Sequence, residues 1–255
     1  MPRIQKYICV VFYAALTSCA THSLYVPTIV NTPNFDSTNR YQINGALGFG
    51  HAELQAAVSP LRSFGVIHNI YYSGRGRNVD LALGYYKNDF LFRGFGFDIF
   101  AGYGIGERQY WEKTKHLSDK TYMTFDIDNS FQKYYSQAGF YKSIKRHQLS
   151  FTFRASYIDY KWFNYTVEYS TINNTSAAFN ASDIVKDDGL TVSCFDYMLT
   201  YKYRFFGIGF FIQPGIYINN GPSDETKDLH FSNPKQFVLN AGVNVYLGKN
   251  KKTKA

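Results

Sequence analysis

Residues 237–247 constrain the fold more than any other stretch. Phe237, Leu239, Ala241, Val243, Val245 and Leu247 share one face of an extended chain, and Val238, Asn240, Gly242, Asn244 and Tyr246 share the other. Successive strand side chains point to opposite faces, so one face is wholly apolar and the other is small and polar. The split recurs. Val79, Leu81, Leu83 and Tyr85 stand opposite Asp80, Ala82 and Gly84; Leu149, Phe151, Phe153, Ala155 and Tyr157 stand opposite Ser150, Thr152, Arg154 and Ser156. Phe195, Tyr197, Leu199, Tyr201 and Tyr203 stand opposite Asp196, Thr200 and Lys202. With 23 Tyr, 23 Phe and 20 Gly, the composition favours strands and turns over helices.

Ten strands are expected, over residues 41–49, 52–59, 64–72, 79–86, 91–106, 131–144, 148–162, 190–204, 208–219 and 237–247. The faces of the third and sixth are both mixed, which leaves their register open. Pro214 interrupts the ninth and predicts a bulge or an unpaired position there. The connections alternate. Residues 60–63, 87–90, 145–147 and 205–207 are short turns, whereas 107–130, 163–189 and 220–235 are long and polar. Short turns at one end and long loops at the other, with an even strand number, are the pattern of transmembrane barrels. The expected fold is all-β: a closed antiparallel up-and-down transmembrane β-barrel of about ten strands, over residues 41–248.

Two features turn the apolar face outward. The polar face is rich in Gly, Ala, Ser, Asn and Gln and poor in the Lys and Glu of a solvated strand surface. The apolar rows often end in tyrosine, at Tyr41, Tyr85, Tyr103, Tyr157 and Tyr203, as expected at a membrane interface. The alternative turns the apolar face inward, giving a lipid-anchored periplasmic soluble barrel that binds an apolar ligand.

Residues 1–18 read as a targeting segment. Arg3 and Lys6 precede an apolar run over 7–16, which is shorter than the about 20 residues of a spanning helix. Leu16-Thr17-Ser18-Cys19 resembles a bacterial lipobox, so Cys19 is the expected lipidation site. Residues 19–40 are then a lipid-anchored periplasmic tether, and 249–255 a basic periplasmic tail. Within that tether, Tyr25-Val26-Pro27-Thr28 and Asn31-Thr32-Pro33 predict extended backbone without ladder pairing. A lipobox followed by such a Tyr-x-Pro and Asn-x-Pro segment resembles outer-membrane β-barrel lipoproteins of Bacteroidetes-type bacteria. The resemblance covers the whole mature chain, implies an outer-membrane barrel and carries no catalytic residues over.

A net charge of +8 with pI about 9.2 lacks a basic-aromatic motif, so an exported chain of this kind points to lipid rather than to nucleic acid. If the polar face is inside, Glu53, Asp80, Asp98 and Asp196 share a lumen with Arg154 and Lys202. Buried charges must pair or stay hydrated. The expected result is a polar network that keeps a narrow barrel closed; the functional alternative is a constriction that selects small solutes by charge.

An enzyme is not expected. No motif pairs His51, His68, His116, His147 or His230 with a nucleophile, and no His or Cys falls at metal-ligand spacing. No cofactor follows. An outer-membrane hydrolase is the remaining alternative. Once Cys9 leaves and Cys19 carries lipid, Cys194 stands alone. Surface partners, if any, meet the loops at 107–130, 163–189 and 220–235. The aromatic residues there, Tyr110-Trp111 and those of 163–169, are expected to extend strands above the membrane and pack on one another.

Overall fold

The computed structural model describes residues 28–33, 35, 40–48, 51–115, 121–171, 183–186, 191–205, 207–220 and 235–247. The strands are β1 (Tyr41–Gly48), β2 (His51–Leu61), β3 (Phe64–Ser73), β4 (Gly76–Lys87), β5 (Phe95–Lys115), β6 (Thr121–Ile144), β7 (His147–Thr171), β8 (Asp183–Lys186), β9 (Thr191–Phe205), β10 (Ile208–Asn220) and β11 (Lys235–Leu247). Ten of them form a closed ring of antiparallel neighbours. Each pairs with the next in sequence, except that β7 passes over β8 to pair with β9; β11 returns to β1 with Tyr41 opposite Leu247 and Leu47 opposite Ala241. The short β8 lies outside the ring, on β7 at residues 164–167.

The alternation decides which face is inside. On β4, Leu81 and Leu83 are 53% and 64% exposed, whereas Asp80 and Ala82 are 1% and 2% exposed. On β11, Phe237, Val243, Val245 and Leu247 are exposed, and Asn240, Asn244 and Tyr246 are buried. Apolar side chains therefore clothe the outside, and polar ones fill the lumen. This excludes the inward-facing apolar cavity of the soluble-barrel alternative. An apolar exterior around a polar, hydrogen-bonded interior is the arrangement a strand ring needs to cross a bilayer.

Aromatic residues mark both ends of the apolar band. Tyr103, Tyr134 and Tyr157 lie side by side across β5, β6 and β7, while Phe64 and Tyr85 pair across β3 and β4 near the short turns. Midway along β11, Val243 lies between Gly45 and Phe210 and faces outward. Replacing it with Arg is expected to cost ~2–4 kcal/mol if the site is near the midplane. Urea unfolding of the variant and parent in lipid vesicles measures that difference.

The two ambiguous strands are settled by packing. Gly65, Ile67, Asn69 and Tyr71 of β3 turn inward, as do Phe131, Lys133, Tyr135, Gln137, Gly139 and Tyr141 of β6. The lumen thus holds aromatic rings as well as small polar groups. Small neighbours make room for them: a Cβ on Gly84 would lie 2.3 Å from the Phe100 ring. Pro214 causes no bulge. The β9–β10 ladder lapses at Gln213 and Pro214 and resumes in the same register, as a residue without an N–H requires. Register shifts fall instead between Val58 and Leu61, around Pro60, and between Ser130 and Phe131 in the β6–β7 ladder.

The long connections are more ordered than their sequence suggests. β4 ends opposite Arg108, but β5 and β6 continue as a hairpin to Lys115 and Thr121. β7 continues beside β6 to Thr171. Much of the expected loops at 107–130 and 163–189 is therefore paired strand standing beyond the rim. Above a bilayer both strand faces can be polar, so alternation fades while backbone pairing continues. The strands extend there as expected for 110–111 and 163–169; their side chains, most of loop 220–235 and the tail 249–255 lie outside the described residues.

Candidate functional site: a lumen threaded by its own chain

The expectation that residues 19–40 form a periplasmic tether fails for the part described. Thr28, Ile29, Val30, Asn31, Thr32 and Phe35 are each no more than 4% exposed and lie inside the barrel. The segment runs from mid-lumen at Thr28 to the short-turn end at Phe35, where β1 begins. Pro33 and its predecessor favour extended backbone, which leaves the segment's N–H and C=O groups facing the wall. Buried backbone groups must find partners, and the lumen side chains supply them.

The wall hydrogen-bonds the segment residue by residue. Arg154 Nη2 donates to the Thr28 carbonyl at 2.6 Å, and Nη1 donates to Thr28 Oγ1 at 2.9 Å. Ile29 N–H donates to Glu53 Oε1 at 2.7 Å, and Gln55 Nε2 donates to the Ile29 carbonyl at 2.9 Å. Gln213 serves both backbone groups of Val30: Oε1 accepts from its N–H at 3.2 Å, and Nε2 donates to its carbonyl at 3.0 Å. Gln137 Nε2 donates to the Asn31 carbonyl at 2.8 Å, and Lys202 Nζ to the Thr32 carbonyl. Asn88 Nδ2 closes the series on the Phe35 carbonyl at 2.7 Å. These side chains replace a strand ladder, which gives the Asn and Gln of the polar face a specific use.

Apolar contacts hold the two sides of the segment. Phe35 packs among Ala57, Ile67, Ala82, Tyr86, Phe100 and Tyr135, and a Cβ on Gly65 would meet its ring at 2.6 Å. Ile29 packs with Ala46 and Phe211.

The structure brings the six charges singled out from sequence into the lumen, each no more than 4% exposed. Arg154 Nε pairs with Asp196 Oδ2 at 2.7 Å. Asp98 faces Lys202 and Gln137. Asp80 pairs with Lys133, which sequence reading did not single out, at 2.5 Å. Lys133 escaped because the register of β6 was open; Gly102 opposite Tyr135 is the signal that turns this row inward. Thr28 and Asn31 also escaped, because a proline-punctuated tether carries no alternation. Cys19 lies outside the described residues.

The described histidines take other partners. His68 Nδ1 lies 2.9 Å from the Asp80 carbonyl, and His147 Nδ1 lies 2.7 Å from Tyr201 Oη. His51 sits 3.6 Å from Glu53. Among the described residues, no group of three or more His, Cys, Asp or Glu is placed to hold a metal ion.

No family model and no curated protein matches the chain. Solved structures with a similar strand arrangement include Neisserial surface protein A, at 11% identity and a TM-score of 0.32 over 83% of this chain and all of that one. LpxR from Salmonella typhimurium is 7% identical with a TM-score of 0.32, over 81% of this chain and 99% of its own. Acinetobacter baumannii CarO is 9% identical with a TM-score of 0.25, over 82% and 98%. Likeness at this level carries no argument about function.

Proposed function

We propose that the chain is an outer-membrane β-barrel lipoprotein, anchored through Cys19 and sealed by its own residues 28–35. Its role is structural and surface-interacting, with neither catalysis nor steady conduction, and the Bacteroidetes-type barrel lipoproteins that its N-terminus resembles carry no catalytic residues over to it. The carrying observation is the threaded segment: Arg154, Glu53, Gln55, Gln213, Gln137, Lys202 and Asn88 are engaged on it rather than lining an open path. The apolar exterior supports the membrane, and the β5–β7 strands beyond the rim offer a surface for a partner.

Planar-bilayer recording tests the seal. The intact chain is expected to pass no steady current, and a stable open level would overturn the reading. Single cysteines at Val243 and Asn244, in a Cys194→Ala background, test the membrane. A membrane-confined probe is expected to mark the first and a water-soluble reagent neither. Labelling with a radioactive fatty acid, abolished by Cys19→Ala, tests the anchor.

A further inference from the structure

Directly below the sealing segment, the short-turn end of the barrel opens into a vestibule of about 610 Å³. Its described lining includes Arg40, Arg62, Lys87, Lys145, Arg146, Lys202 and Arg204 against the one carboxylate of Asp89. The cations arrive from every connection at this end. Arg62 comes from the β2–β3 turn, Lys87 from the end of β4, Lys145 and Arg146 from the β6–β7 turn and Arg204 from the end of β9, while Arg40 precedes β1. So many like charges around one concavity repel one another unless an anion joins them.

We propose that this vestibule binds a phosphate-bearing anion. The frame is rigid: Arg204 N–H donates to the Arg146 carbonyl at 2.8 Å, which sets the two arginines side by side. The Arg204 guanidinium lies over the Tyr246 ring of the wall, 4.5 Å from its centroid, while Arg146 sits at the exposed rim, 5.5 Å from the centroid of the outward-facing Phe205. Stacked guanidinium forks held in place are the groups best matched to phosphate oxygens. Tight turns fix the rim, with Ser63 and Lys145 at φ 69° and 54°. Tyr86 and Tyr141, whose hydroxyls bond Ser59 and Asn88, stiffen the wall, and Lys202 closes the roof beneath the Thr32 carbonyl. The volume suits a phosphorylated small molecule or a phospholipid headgroup, within the usual ~300–1,000 Å³ of ligand sites. This inference depends on neither the lipid anchor nor the seal.

The test uses the intact mature chain in maltoside detergent, titrated calorimetrically with inorganic diphosphate. In parallel, native mass spectrometry follows the chain released from nanodiscs of phosphatidylcholine with or without phosphatidylglycerol. Saturable binding of one anion, weakened about tenfold or more by Arg146→Gln with Arg204→Gln, is expected. Diphosphate binding identifies a soluble ligand. A retained phosphatidylglycerol that the double variant loses, with no diphosphate binding, identifies a headgroup. Heat-modifiable migration verifies that the variants are folded. If the double variant does not fold, Arg62→Gln with Lys145→Gln, both at the exposed rim, is expected to weaken binding in the same direction. No binding in either arm, or binding unchanged by the substitutions, overturns the proposal.

Discussion

Deleting residues 28–35 is expected to turn a sealed barrel into a conducting one. The segment occupies the axis from the level of Arg154 to that of Asn88, and its removal leaves Glu53, Gln55, Gln137, Lys202 and Gln213 facing open space. Those groups hydrate readily, so water fills the gap rather than the wall collapsing. The ring itself keeps its ladders, because β1 closes on β11 and β2 without help from the segment. Ten strands give a lumen between the filled eight-stranded case and open porins, so the path is narrow. Planar-bilayer recording is expected to show small, stable open levels for the shortened chain and none for the parent. A shortened chain that folds yet stays silent would locate the seal in the inward side chains themselves.

The second large effect lies at Asp80. Its carboxylate holds Lys133 Nζ at 2.5 Å, and both side chains are fully buried. Replacing Asp80 with Ala strands a lysine charge inside the lumen, near Thr28 and the Tyr135 ring. Losing one member of a buried pair costs ~3–5 kcal/mol, mostly because the other is left uncompensated. Replacing both, Asp80→Leu with Lys133→Met, removes the stranded charge and is expected to recover most of that loss. Urea unfolding of Asp80→Leu, of Lys133→Met and of the double variant in lipid vesicles measures the coupling. Equal loss in the double and the Asp80 variant would mean that the carboxylate acts through something other than Lys133.

Much of the barrel could be read from the sequence where one face met lipid and the other met the lumen. The residues of β4, β7, β9 and β11 sort cleanly because the two surroundings differ so sharply. β3 and β6 did not sort, because their inward rows carry Ile67, Tyr71, Phe131 and Tyr135, bulky side chains that fill space beside small neighbours. That placement depends on cross-strand partners, which no single strand contains. The charged lumen residues are legible for the same reason as the strands, except Lys133, whose strand β6 does not sort. The threaded segment was not: its order comes from side chains as distant as Gln213, 183 residues away, and local pattern reports only that it is extended. The β5–β6 hairpin past the rim and the end of β7 carry little such signal beyond their aromatic residues, because periodicity reports a difference between two surroundings, and above the bilayer that difference vanishes.

The position of residues 28–35 also constrains the order of biogenesis. They are the first described residues to be synthesised, yet their hydrogen-bond partners are spread over β1, β2, β3, β6, β7, β9 and β10, with Asn88 just beyond β4. The segment cannot take its final place until most of the barrel's chain has been delivered. Its contacts form a girdle on all sides, so threading it through a finished cylinder is far harder than wrapping a cylinder around it. The β1–β11 ladder joins the two ends of the barrel sequence and is the natural last seam. A cylinder wrapped around the segment in this way would hold that seam unzipped until the leading residues lie along the trough, and draw the final strand across last.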